Sequence, residues 1–109
     1  MDRKKLTVTK GPIDPARIRV IPPEGFSWID RRFIREGFIA GLPREAIVLY
    51  FFLVAVSDPR GLSFYAEPTI GKLLKLTLEE LTQARERLIG KDLILYRYPI
   101  YQVLPLAQK

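Results

Sequence analysis

Cysteine and histidine are both absent from this chain. Without cysteine there is no disulfide, no thiolate zinc site and no cysteine nucleophile. Without histidine the chain lacks the commonest general base near neutral pH and the commonest transition-metal ligand. A glycine-rich phosphate loop is also missing, because Gly71-Lys72 lacks the upstream glycine of such a loop. We therefore expect a protein that is not an enzyme and that has no cofactor, metal or small-molecule ligand.

Long hydrophobic runs are missing as well. The longest apolar stretch, from Ala46 to Val56, is far shorter than the roughly 20 residues that a bilayer-spanning helix needs. No apolar signal-peptide core follows the basic residues Arg3, Lys4 and Lys5. The sequence therefore predicts a cytoplasmic protein without membrane association.

Charge of one sign predominates. The chain has 18 lysines and arginines against 12 aspartates and glutamates, for a net charge of +6. Its 109 residues and 48% hydrophobic content are those of one ordinary globular domain. A basic excess raises the local concentration of polyanions, which favours nucleic acid or an acidic surface as the partner.

The first 25 residues differ from the rest, since they hold four of the nine prolines and six basic residues. We interpret residues 1–25 as a basic, proline-rich arm and residues 26–106 as the folded domain. From Ser27 onward, apolar residues recur at intervals of four and five, which predicts a helix that ends near Gly41. Trp28 is expected to be a core or interface anchor of this helix.

A second predicted helix, from about Pro43 to Ser57, is apolar around its whole circumference. Such a helix is either enclosed by other elements or shared with another subunit. A domain this small has little interior in which to hide these side chains together with Trp28 and Phe33. We therefore expect a homodimer.

Two shorter helical patterns follow. Pro68 predicts the first turn of a helix that continues to Leu74, with Ile70, Leu73 and Leu74 facing inward. Thr77 followed by Glu80 is a capping box, which predicts that the next helix begins at Leu78. The buried stripe of this helix is expected to consist of Leu78, Leu81, Ala84, Leu88 and Ile89.

The remaining segments are β-prone. Residues 62–65 predict a short strand, and residues 94–98 and 100–104 predict a hairpin with a tight turn at Pro99. The core is expected to contain Leu49, Phe52, Leu53, Leu73, Leu81 and Leu88.

From Pro43 the order is helix, short strand, helix, tight turn, helix and hairpin. The sequence IGKLLKLTLEEL at residues 70–81 resembles the core of a winged helix-turn-helix domain. RLIGKDLI at residues 87–94 resembles the junction between its recognition helix and wing. The resemblance covers about residues 43–105. It implies an α+β fold of three to four helices, with a small antiparallel sheet and a C-terminal hairpin as the wing.

Similar modules occur in bacterial repressors, replication initiators and transposition-associated proteins, so the resemblance implies DNA binding in transcription regulation, replication or transposition. The helix that begins at Leu78 would lie in the major groove. There, Gln83 would contact adenine and Arg85 guanine if both point outward. The implied DNA-binding residues are Lys72, Lys75, Thr77, Glu79, Thr82, Gln83, Arg85, Glu86 and Arg97.

Two features depart from the usual pattern. Lys75 stands where the turn between the two helices usually has glycine. Glu79, Glu80 and Glu86 put negative charge on the helix that would meet DNA, although Glu80 is expected to serve as a cap. The alternative is a winged helix used for protein–protein contact or assembly, because a fold does not dictate a function.

Overall fold

The computed structural model describes residues 11–17, 20, 23, 25 and 27–106. Most of the predicted basic arm therefore lies outside the described residues, which include a 3-10 turn at Pro15–Arg17. The described residues form an α+β fold with a three-stranded antiparallel sheet, and this confirms the predicted class. Its elements are α1 (Arg32–Arg35), α2 (Arg44–Val56), β1 (Leu62–Ser63), α3 (Glu67–Leu74), α4 (Leu78–Gly90), β2 (Ile94–Arg97) and β3 (Ile100–Val103).

Helix α2 lies at the centre of the core and packs mainly against α4. Its Leu49 and Leu53 are fully buried, as predicted, whereas Phe52 is only partly buried at the edge of the core. Val48 is 41% and Phe51 is 40% exposed. The apolar circumference of α2 is therefore enclosed on one side and left open on the other. Among the described residues, no helix has the length and hydropathy needed to cross a bilayer.

The helix predicted between Ser27 and Gly41 is wrong except for the single turn α1. Gly37, inside the predicted span, has a φ angle of 80°, which a right-handed helix does not accommodate. The apolar spacing instead arises from a series of turns in which Phe33 is buried and stacks on Tyr50 at 4.5 Å between ring centroids. Trp28 is 76% exposed, so it is not a core anchor.

Helix α3 contacts the core along a narrow line. Ile70 is fully buried and Leu74 is partly buried, but Leu73 is 58% exposed, so its predicted place in the core is wrong. Successive residues are about 100° apart around a helix. With Ile70 and Leu74 facing inward, Leu73 therefore points to the side.

The capping box that begins α4 is confirmed. The Thr77 hydroxyl accepts the backbone N–H of Glu80 at 3.0 Å, and the Glu80 carboxylate accepts that of Thr77 at 2.9 Å. Leu81, Ala84 and Leu88 are buried as predicted. The two ends of the predicted stripe are wrong, because Leu78 is 64% and Ile89 39% exposed.

The sheet has the strand order β1-β3-β2, and both pairs are antiparallel. The predicted hairpin forms β2 and β3, with Tyr98 and Pro99 at the turn. Strand β1 lies beside β3 because the chain at Gly61 approaches Val103 closely. A Cβ atom at Gly61 would lie 2.6 Å from the Val103 carbonyl oxygen, and its φ of +85° also favours glycine.

Candidate functional site

The turn between α3 and α4 is closed by a left-handed lysine. Lys75 has φ 60° and ψ 45°, the conformation that glycine usually supplies at the end of a helix. The Leu76 backbone N–H donates to the Gly71 carbonyl at 2.9 Å, so a carbonyl at the end of α3 has a partner. Lysine at the position of the usual glycine therefore does not prevent the tight turn.

The solvent-facing side of α4, which we call the α4 face, carries polar side chains. Thr82 is half-buried and the other members are exposed. The Thr77 hydroxyl lies at the start of this face, where it accepts the Glu80 N–H as a cap and keeps its own proton for donation. The α4 face consists of Glu79, Thr82, Gln83, Glu86 and Arg87.

The two carboxylates of the α4 face have no cation at the helix positions that follow them. Side chains on a helix meet their neighbours three and four residues away. Glu79 has Thr82 and Gln83 at those positions ahead of it, and Glu86 has Ile89 and Gly90. Neither carboxylate therefore meets a cation further along its own helix.

Four exposed cations lie on α4 or on the segments next to it in the chain, which are α3, the α3–α4 turn and β2. Within the part of the chain that the structure describes, none of them forms an ion pair. Four cations against the carboxylates of Glu79 and Glu86 give this surface a net charge of +2. The four cations are Lys72, Lys75, Arg87 and Arg97.

Arg85 does not belong to this surface, so the predicted outward orientation is wrong. Its side chain is only 12% exposed and forms an ion pair with Glu67, at the start of α3. One Nη1 donor also reaches the Tyr101 hydroxyl at 3.1 Å, and the guanidinium lies 4.4 Å from the Tyr96 ring centroid. Arg85 therefore contacts the hairpin and α3 instead of facing solvent.

This partly buried guanidinium keeps its charge. Burial lowers the pKa of Arg85, but the hydrogen bonds with Tyr101 and Glu67 raise it by more, so the net pKa is above its ordinary value. Burial raises the pKa of the Tyr101 hydroxyl, and the hydrogen bond from Arg85 partly opposes that rise. A charged hydrogen bond between partly buried groups is stronger than an exposed one.

A cleft between α3 and α4 was not predicted from the sequence. It has a volume of about 450 Å³, and the exposed Leu78 stands at its rim. The spacing of Leu78 fits the buried stripe of α4. Leu78 is also the first residue of that helix, and this terminal position is the one sequence signal that indicates exposure. The cleft is lined by Glu67, Pro68, Gly71, Lys72, Leu76, Leu78 and Leu81.

No cluster of acidic side chains that could hold a metal ion occurs within residues 11–17 and 27–106 or at the other described positions. No family model, curated protein or solved structure matches this chain. Its function is therefore inferred from the geometry and chemistry of its own residues.

Proposed function

We propose that this chain is a winged helix-turn-helix domain that binds double-stranded DNA, with α4 in the major groove and the β2–β3 hairpin as the wing. The order of α2, β1, α3, α4, β2 and β3 supports the proposal, as does the strand order β1-β3-β2. The left-handed turn at Lys75 supports it too, because the two helices of such a unit are joined by a tight turn.

The four cations that form no ion pair with any described residue carry the proposal. Exposed lysines and arginines that have no carboxylate partner are available to phosphate oxygens, and each phosphate contact releases condensed counterions from the DNA. Lys72 and Lys75 precede α4, Arg87 lies on it and Arg97 lies at the end of β2. The cations therefore lie on α4 and on three segments adjacent to it in the chain, and the proposal places them against phosphates on several elements, as contacts that orient a helix in a groove are.

The N-terminal half of α4 supplies the base contacts in this proposal. Gln83 is exposed and has the amide geometry for a bidentate contact with adenine, while Glu79 can accept from cytosine N4. Glu86 lies about one turn beyond Gln83, and its carboxylate repels the phosphates. The processes served would be transcription regulation, replication or transposition.

Combined alanine substitution of Lys72, Lys75 and Arg87 tests the proposal by filter binding to a duplex across a range of salt. If each contacts one phosphate, the slope of log affinity against log salt becomes shallower by about 2.7, at roughly 0.9 per phosphate. Lys91→Ala is the control, since the Lys91 ammonium lies against Gly41. We expect it to leave the slope unchanged. An unchanged slope in the triple variant would exclude DNA binding through this surface.

Single substitutions separate base contacts from phosphate contacts. Lys72→Ala should weaken binding to all sequences alike. Gln83→Ala should reduce discrimination between sequences by about 1–3 kcal/mol if the bidentate contact forms. Glu79→Gln should tighten nonspecific binding, because it removes a carboxylate that repels phosphate.

Protein–protein contact is the second candidate, and the exposed leucines favour it. Leu73 is 58% and Leu78 64% exposed, and Leu78 borders the 450 Å³ cleft. Exposed apolar side chains beside a cleft are typical of a contact surface. Leu78→Ser distinguishes the candidates, since it should abolish a protein contact at the cleft and leave the salt slope for DNA unchanged.

A further inference from the structure

Arg85 joins three elements. It lies in the middle of α4, its ion-pair partner Glu67 begins α3, and its two aromatic partners lie on β2 and β3. Tyr96 and Tyr101 are opposite each other in the hairpin, with ring centroids 4.5 Å apart. The guanidinium therefore contacts both strands of the hairpin at the same register position.

The exposed cation of the hairpin, Arg97, lies one residue beyond this register position. Arg97 follows Tyr96 on β2 and pairs with Ile100, the residue before Tyr101. A strand places successive side chains on opposite faces. The side of the hairpin that carries Tyr96 is thus held against Arg85, and the next residue, Arg97, points the other way and is exposed.

We propose that Arg85 is a positioning residue that fixes the hairpin against α4 and so sets where Arg97 meets DNA, an inference that rests on the proposed function. Arg85 itself makes no DNA contact. With 12% of its side chain exposed, turning it outward would break its ion pair with Glu67 and leave that partly buried carboxylate without its partner. A flat guanidinium also suits this place better than an ammonium, because it can stack on a ring and donate along its edge at once.

The test combines two measurements on Arg85→Met, which keeps the long side chain but removes the charge and its donors. The first is amide hydrogen exchange of residues 95–102 without DNA. The second is a double-mutant cycle with Arg97→Ala, read as DNA affinity. Arg87→Met is the matched control, because Arg87 is an exposed arginine on the same helix. Arg85→Lys keeps the charge and guards against a variant that fails to fold.

We expect Arg85→Met to speed exchange in the hairpin and to make Arg97→Ala nearly silent for DNA affinity, within about twofold. Arg85→Lys should give an intermediate result. Arg87→Met should leave hairpin exchange unchanged and should combine additively with Arg97→Ala, again within about twofold.

Any other result would contradict one identifiable part of the proposal. Unchanged hairpin exchange in Arg85→Met would overturn the positioning role. Faster exchange together with full additivity toward Arg97→Ala would overturn the link between that role and DNA. If the unaltered chain binds no duplex at low salt, the proposed function fails, and the exchange data alone decide whether Arg85 holds the hairpin.

Discussion

The left-handed lysine at the α3–α4 turn allows stability and DNA binding to be measured separately at one position. Lys75→Ala and Lys75→Gly remove the same positive charge. Alanine keeps the steric conflict of a Cβ atom at φ 60°, whereas glycine relieves it. The two variants therefore differ in the strain of the backbone and not in the charge of the surface.

The expected difference follows from two opposing effects. A left-handed conformation costs an L-residue about 1–2 kcal/mol, which glycine recovers. Glycine also gains conformational entropy in the unfolded chain, which costs about 0.4–1 kcal/mol of folded stability. Lys75→Gly should therefore be more stable than Lys75→Ala by about 0.8 kcal/mol, the middle of a range from about 0 to 1.6 kcal/mol.

Urea denaturation followed by circular dichroism measures this difference, and filter binding measures DNA affinity in the same two variants. We expect both to lose DNA affinity equally, because both lose the same phosphate contact. Lys72→Gly is the control. It lies in the right-handed interior of α3, where glycine should destabilise by up to about 1 kcal/mol relative to alanine. Equal stabilities of Lys75→Gly and Lys75→Ala would refute a strained turn.

Three other predictions concern the core, the acid response and self-association. Leu81→Ala should lower the free energy of unfolding by about 2–5 kcal/mol, whereas the exposed Leu73→Ala should change it by less than about 0.5, and urea titration compares them. The backbone N–H of Leu62 donates to Asp58 and lowers the pKa of that carboxyl below the ordinary 3.8. The Asp58 carboxylate therefore stabilises the fold above that pH, and this stabilisation is lost on acidification. The thermal unfolding temperature of Asp58→Asn should accordingly depend less on pH below about 4 than that of the unaltered chain. We also propose a homodimer through the open side of α2, so sedimentation should show a dimer at tens of micromolar and a monomer for Phe51→Glu, and a monomeric unaltered chain would contradict the proposal.

Local chemistry was predictable from the sequence. Thr77 and Glu80 are three residues apart, and the hydrogen bonds they exchange need nothing from the rest of the chain. The start of α4 could therefore be predicted. The hairpin was predictable for the same reason, since a short connection holds two β-prone segments close enough to pair with each other.

The errors come from contacts that are distant in the sequence. Arg85 is 18 residues from Glu67 and 16 from Tyr101, so no local pattern indicates that it is held under the hairpin. Leu73 fits the inward spacing of α3, but how far an eight-residue helix rotates toward the core depends on α4. The helix predicted from Ser27 failed because apolar spacing alone does not reveal that Gly37 takes a positive φ angle.

The exposed position of Trp28 determines which optical signals this protein offers. It is the one tryptophan of the chain, and 76% of it is accessible to solvent. Indole emission therefore comes from a residue that is already hydrated in the folded monomer, and it will shift little when the core unfolds. The same exposure makes the emission sensitive to any molecule that covers Trp28. Tryptophan fluorescence is consequently a probe of association at this segment and a poor measure of folding.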